Sequence, residues 1–269
     1  MRVLVRSWEF GVRSTCSELR TPNSEHPLWV VGAFLLVLVA PARAWAFGSS
    51  VRLWLPDAVT TTAPEIDRLF YLVLWITGVA FVLVQATLVG FLVVYRGRPG
   101  RRAGYTHGNT MVEIIWTVVP ALILIGLLVK SQRVWAVVRG TPPAPDLEVQ
   151  ITAEQFAWNV NYAGADGAFD TADDITTINQ LHLPVHHTVL IRLKSKDVIH
   201  SFFVPQLRMK HDAVPGLTTR LWVNATKTGQ FDIACAELCG LGHFRMRGFL
   251  TLEPKADFDT WLAHTLAEQ

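Results

Sequence analysis

Three apolar runs open the chain, and short segments of alternating character fill the rest. The first run, 28–40, has only 13 residues, too few for a comfortable bilayer crossing. Arg2, Arg6, Arg13 and Arg20 precede it and Pro41 follows. Small residues at Ala42 and Ala44, or at Ala44 and Ala46, have the spacing a signal peptidase needs. Residues 1–46 are therefore expected to form an export leader, whose cleavage would remove Cys16. A short extra anchor is the competing reading.

The second run, 69–95, contains no charged residue; as a helix it would reach about 40 Å. The third, 111–129, would reach about 28 Å and carries Glu113 near its start. Spans over about 69–95 and 111–134 are predicted, in preference to a buried hairpin of a soluble protein, because both runs are long and apolar enough to cross the hydrocarbon core, the longer one with tilt. The loop between them holds Arg96, Arg98, Arg101 and Arg102 and no acid. By the positive-inside rule it is cytoplasmic, so residues beyond Arg133 lie on the far side. The expected organisation is a transmembrane hairpin within 47–140 and an extracytoplasmic domain over 141–269.

A proline-rich connector, 141–145, ends the membrane section. Beyond it, β-branched and aromatic runs alternate with turn residues. Strands are predicted at 147–162, 176–183, 188–195, 201–204, 218–224, 230–234 and 247–252, spaced as in an antiparallel sandwich or barrel. Phe258, Trp261, Leu262 and Leu266 recur on one face of a short final helix, with Asp257 and Asp259 in its first turn.

Composition narrows the function. The 269 residues are 51% hydrophobic and 17% charged, less charge than a soluble domain normally carries. A net charge of +2 gives no reason to expect a nucleic-acid partner. Of three cysteines, two fall within five residues, which favours a metal or redox site over a disulfide framework.

Those two lie in Cys235-Ala-Glu-Leu-Cys-Gly-Leu-Gly-His-Phe-Arg-Met246. This segment offers two thiolates, an imidazole and a thioether. Soft sulfur donors with imidazole favour copper over calcium, magnesium or manganese. A structural zinc site on Cys235, Cys239 and His243 would leave Met246 unexplained. A Cys235–Cys239 disulfide suits an oxidising compartment but would account for neither His243 nor Met246. Haem attachment is excluded, since no Cys-x-x-Cys-His occurs. A further ligand must come from a distant strand, and His200 is the best candidate.

The segment resembles the dinuclear copper (CuA) loop of the cytochrome c oxidase subunit II family, Cys-x-Glu-x-Cys-x-x-x-His-x-x-Met. The resemblance runs from about Leu69 to the end of the chain. It implies a cupredoxin-like Greek-key sandwich behind a two-helix hairpin. In it, Cys235 and Cys239 bridge two coppers, and His200 and His243 each bind one. Met246 completes one metal, and the Glu237 carbonyl completes the other. It also implies electron transfer from cytochrome c to the haem of subunit I, where oxygen is reduced with proton pumping, in a bacterial-type inner membrane.

Weaker similarities extend this. Glu113-Ile-Ile-Trp-Thr-Val-Val-Pro120 is similar to the family's second membrane helix, which implies a proton-pathway role for Glu113; a carboxylate stabilised at a helix N-terminus is the plain alternative. The segment from Lys210 through Asp212 to Gly216 resembles a loop facing subunit I, or is simply a turn. The Glu237 side chain would reach a magnesium ion at that interface, and Asp197 would support the copper site or donor docking. At Gln155-Phe156-Ala157-Trp158 the chain departs from the family's Trp-Tyr-Trp. Trp158 is then the remaining candidate to take electrons, unless it is core, and the donor's identity is open. Asp166, Asp170, Asp173 and Asp174 fit no EF-hand spacing and read as a solvated loop. The competing functions are a quinol-oxidase homologue, which would lack the copper ligands, a copper subunit of a nitric oxide reductase type of complex, and a tethered copper chaperone.

Overall fold

The computed structural model describes residues 55–102 and 104–268; the expected leader, with Cys16, lies outside them. Helices α1 (Ala63–Val94) and α2 (Thr110–Arg139) carry the two long apolar runs. Thr60 Oγ1 accepts a hydrogen bond from the Ala63 N–H at 3.2 Å, and Asn109 Oδ1 accepts from Met111 and Val112 at 3.0 and 3.2 Å. These side chains satisfy donors that a helix start leaves free. At the other end of α2 the Gly140 N–H reaches the Ala136 carbonyl at 3.0 Å. Thr141, held extended by Pro142, cannot continue the helix.

Both helices outrun their apolar stretches, α1 at its start and α2 to Arg139. Nothing in the sequence stops them there, and the Arg68–Glu65 pair favours helix in the first turn of α1. Leu83 is 63% and Leu124 65% exposed, so these surfaces need an apolar medium around them.

The rest is a sandwich. Its strands are β1 (Leu147–Glu154), β2 (Ala157–Tyr162), β3 (Ile175–Ile178), β4 (Gln180–Pro184), β5 (Thr188–Ser195), β6 (His200–Val204), β7 (Met209–Ala213), β8 (Thr219–Asn224), β9 (Gly229–Cys235) and β10 (Arg247–Glu253). One five-stranded sheet has the order β3-β2-β1-β5-β8, the other β4-β10-β9-β6-β7. The sheets are mixed rather than wholly antiparallel: β1 pairs parallel to β5, and β4 parallel to β10. Alternation along β2 and β10 turns every second residue inward. Trp158, Phe202, Ile151, Ile191, Leu193 and Leu250 fill the space between the sheets. Each such side chain contributes roughly 1.5–3 kcal/mol by leaving water.

Three expectations need correction. The run 147–162 is a hairpin of two strands. The run 176–183 breaks at Asn179, which has φ 59°; its side-chain oxygen accepts from the Trp158 N–H at 2.9 Å, and its own N–H donates to the Trp158 carbonyl at 2.7 Å. The Asn179 carbonyl in turn accepts from Phe249 at 2.8 Å. One residue thus passes the chain from the first sheet to the second. Thirdly, the turn read at Lys210 and Asp212 is strand β7, paired to β6 from His200↔Ala213 to Val204↔Met209.

Helix α3 (Lys255–Glu268) packs Phe258 and Trp261 on Tyr162. Leu266, expected on the same face, is 55% exposed, because the packing against the sandwich stops before the last turn.

The start of α1 is tied to the sandwich. Arg208 pairs with Asp67 (Nε–Oδ1 2.6 Å) and donates to the Pro56 carbonyl. Val59 donates to the Gln206 carbonyl at 3.1 Å, and Thr226 to the Val59 carbonyl at 2.8 Å.

Candidate metal centre

Neighbouring antiparallel strands β9 and β10 are joined by the loop 236–246. Arg247 stands opposite Ala234 in the ladder, so Cys235 and Met246 form its neck, with the Cys235 N–H reaching the Met246 carbonyl at 3.4 Å. Inside the loop, His243–Arg245 make one 3-10 turn. A 3-10 turn eclipses positions three apart, which brings the His243 and Met246 side chains to the same side. On the other flank, β6 pairs with β9 through Phe202↔Cys235. His200, the first residue of β6, therefore lies beside the loop.

The donor atoms converge. Cys235 Sγ is 3.8 Å from Cys239 Sγ, 3.9 Å from His200 Nδ1 and 3.2 Å from the Glu237 carbonyl oxygen. Cys239 Sγ is 3.6 Å from His243 Nδ1 and 3.7 Å from Met246 Sδ. The ligand atoms of His200, Cys235 and Cys239 all lie within 4.8 Å of one another. His200, Cys239 and Met246 are buried, while Cys235 and His243 are partly open to solvent.

The loop closes only because two positions lack side chains. A Cβ on Gly242 would lie 2.5 Å from the Phe156 ring, and one on Gly240, where φ is +132°, 2.6 Å from Gln155 Nε2. Gln155 Nε2 donates to the Cys239 carbonyl, so the β1–β2 turn clamps the loop from outside. The Gly-x-Gly spacing was the available signal for this clamp, and composition alone gave no partner for it.

Asp197 orients His200. Its Oδ1 accepts from His200 Nε2 at 2.8 Å, and it also accepts from the N–H groups of Gln155 (2.7 Å) and Val198 (2.6 Å). The proton on Nε2 leaves the Nδ1 lone pair facing the sulfurs. Burial opposes ionisation of Asp197, but the bonds from His200, Gln155 and Val198 outweigh it and hold the carboxyl below its usual range. At Cys239 the balance is opposite: burial, and then the Cys235 sulfur, push the thiol up to about 11. A thiolate forms there at neutral pH only with a cation alongside. Two thiol sulfurs, two ring nitrogens, a thioether and a carbonyl, each within 3.9 Å of a cysteine sulfur, make a soft donor set that suits copper.

The remaining sequence candidates lie elsewhere. Trp158 is wholly buried, its ring centroid 6.3 Å from that of His200 and 5.8 Å from that of Phe202. No soluble carrier can touch it directly; it packs in the core behind the site. Phe156 covers the loop instead. Lys210 and Asp212 sit on β7, where Asp212 accepts from Ser201 Oγ (2.6 Å) and Lys210 Nζ (3.0 Å); those two donors hold it below the usual carboxylate range. Glu113 is in the first turn of α2, at the end of that helix remote from the sandwich. The acidic loop bonds largely within itself: Thr171 Oγ1 donates to Asp173, and the Asp170 N–H to Asp174.

Comparison with known proteins now decides the family. Residues 149–251 match the family model described as cytochrome c oxidase subunit II, periplasmic domain, and residues 48–134 match its transmembrane domain. The alternative cytochrome c oxidase subunit 2 of Bradyrhizobium diazoefficiens is 32% identical over 257 residues, covering 86% of this chain and 90% of that one.

The chain belongs to the cytochrome c oxidase subunit II family.

Cytochrome c oxidase subunit 2 of Thermostichus vulcanus is 30% identical over 261 residues, covering 77% of each chain. Among solved structures, the periplasmic domain of subunit II of cytochrome oxidase of Bradyrhizobium japonicum aligns with a TM-score of 0.42 at 28% identity, over 48% of this chain and 99% of that one. As a subunit II, the chain is a membrane-anchored protein: two transmembrane-type helices carry a cupredoxin-like extracytoplasmic domain with a short final helix.

Proposed function

We propose that this subunit II accepts electrons from a soluble carrier at a dinuclear copper centre and delivers them to the haem of subunit I in a respiratory cytochrome c oxidase. The observation that carries the reading is the convergence of His200 Nδ1 and His243 Nδ1 on the Cys235 and Cys239 sulfurs. When bound, two coppers supply a one-electron couple whose change in charge is shared between them. Cys235, Cys239, His200, His243, Met246 and the Glu237 carbonyl would hold the pair.

The chain's own residues keep the donors still. The paired neck of the loop, the Gln155 clamp and the buried His200 resist movement when charge changes, which keeps the reorganisation barrier small. Asp197 holds the His200 tautomer, and the burial of Cys239 and Met246 excludes water. Oxygen reduction and proton pumping belong to the partner subunit in this reading. Glu113 lies at the cytoplasmic mouth of a proton pathway, the exposed Glu237 carboxylate would help hold a magnesium ion at the subunit interface, and Lys210 and Asp212 shape that contact. The complex sits in a bacterial-type inner membrane with the sandwich on the periplasmic side.

A second reading keeps the centre and changes the carrier. Phe156, over the loop, occupies a position where many relatives have tryptophan, and the exposed Leu238, Leu241 and Phe244 (78, 97 and 86%) surround the site with apolar surface. A carrier other than cytochrome c, or a nitric oxide reductase type of complex, fits that collar. Paramagnetic resonance of the copper-loaded protein tests the centre: hyperfine coupling to two equivalent nuclei is expected, and a four-line single-copper spectrum overturns it. Rates of reduction by cytochrome c and by quinol then separate the carriers; rapid turnover on quinol alone removes cytochrome c as the donor.

A further inference from the structure

A cleft of about 790 Å³ opens where the two membrane helices meet the sandwich. Ile66 and Leu69 of α1 and Ser131, Val134 and Trp135 of α2 form one wall. Outward-facing Arg220 and Trp222 of β8 contribute to the other, with Arg208 and Lys210 at its side. The depth is set by the sequence. The uncharged run of α1 begins at Leu69, and that of α2 ends at Val129, just before Lys130. The cleft therefore starts at the hydrocarbon boundary and occupies the next several ångströms, the headgroup layer. Trp135 stands where interfacial aromatics gather.

Its chemistry is one-sided. Among the described residues, four cations line it and no acid does. Arg208 is matched by Asp67, and Lys210 by Asp212. Arg139 meets only neutral partners, His211 Nδ1 at 3.2 Å and the Lys210 carbonyl at 3.3 Å. Burial, and then Arg139, hold His211 below its ordinary range, so the imidazole beside Arg139 favours its neutral form. Arg220 forms no ion pair among the described residues and is exposed.

We propose that this cleft binds the headgroup of an anionic phospholipid of the outer leaflet. The phosphodiester oxygens sit between Arg139 and Arg220, and the acyl chains descend along the apolar faces of α1 and α2. Two unmatched cations at headgroup depth favour an anionic over a zwitterionic lipid, and the apolar lower wall favours a lipid over a free anion.

The test uses the full chain, purified in detergent with whatever subunits accompany it, delipidated and titrated with phosphatidylglycerol while native mass spectrometry counts retained lipid. Wild type should retain phosphatidylglycerol in preference to phosphatidylcholine, and inorganic phosphate should not displace it. Arg220→Gln should weaken retention about tenfold, the loss expected for one charge-assisted hydrogen bond. Because Arg220 is exposed, this variant should leave the visible absorption of the copper-loaded protein unchanged. Arg139→Gln should also weaken retention. Equal retention of the two lipids, displacement by inorganic phosphate, or undiminished retention in both variants would each overturn the assignment.

Discussion

Asp197 accepts a hydrogen bond from His200 Nε2 at 2.8 Å, and the other nitrogen of that ring stands 3.9 Å from Cys235 Sγ. The carboxylate thus selects which nitrogen is free to bind a metal. It also ties the imidazole to the β1–β2 turn through the Gln155 N–H at 2.7 Å. Asp197→Ala should lower copper affinity by about 10–100-fold, the usual effect of losing such a support. Asp197→Asn, whose amide oxygen still accepts, should retain more. Competition with a copper chelator measures both, and equal affinity in all three proteins would refute the orienting role.

The sulfur ligands should separate by role. Cys239→Ser should abolish the two-copper spectrum, because Cys239 Sγ is central to the contacts with Cys235, His243 and Met246. Met246→Leu removes one peripheral donor of similar volume and should mainly shift the reduction potential. Total loss of the spectrum in both variants would contradict this division.

Gly242 and Phe156 should be energetically coupled. A methyl on Gly242 meets the Phe156 ring at 2.5 Å, and overpacking of this kind costs about 1–3 kcal/mol. Phe156→Ala should relieve much of that loss in the double variant. Denaturation of all four proteins reads the coupling, and strict additivity would show that the clamp is not closed as described.

Asn179→Ala should destabilise the sandwich by about 1–3 kcal/mol. The Trp158 N–H loses its acceptor and alanine resists the left-handed backbone. Asn179→Gly relieves the second effect only, so its midpoint in denaturant should fall between wild type and alanine.

Acid should loosen the loop around Asp170. Lys194 Nζ at 2.9 Å and Gln150 Nε2 at 2.7 Å hold its carboxyl below the model-peptide value of 3.8. A depressed folded value means that the contribution is fully present above that reference and disappears as pH falls through the folded value. Asp170→Asn should therefore show a shallower loss of denaturation midpoint on acidification than wild type. The effect is small at so exposed a carboxylate, and parallel pH curves would count against it.

Much of the architecture was legible in residue order. The helices could be read because a bilayer imposes a long uncharged run, and Leu69 to Tyr95 has one. Strand β10 alternates inward and outward residues, so a period of two exposed it. The break at Asn179 was not legible, because a continuous β-prone stretch looks the same whether it stays in one sheet or crosses to another. Strand β7 was hidden because Lys210, His211 and Asp212 are polar, and what makes that segment a strand is pairing with β6. Leu266 kept the right helical spacing but had no surface to meet.

By itself, the order of residues determined which donors exist and which stretches seek an apolar medium, since ligand softness and hydrophobicity belong to side chains wherever they go. Only the tertiary structure decided that His200 stands beside a loop 35 positions away, that Asp197 chooses its free nitrogen, and that Trp158 is shut inside. Those outcomes depend on which strands become neighbours across two sheets, and neighbourhood across a fold is a property of the packed whole rather than of any local pattern.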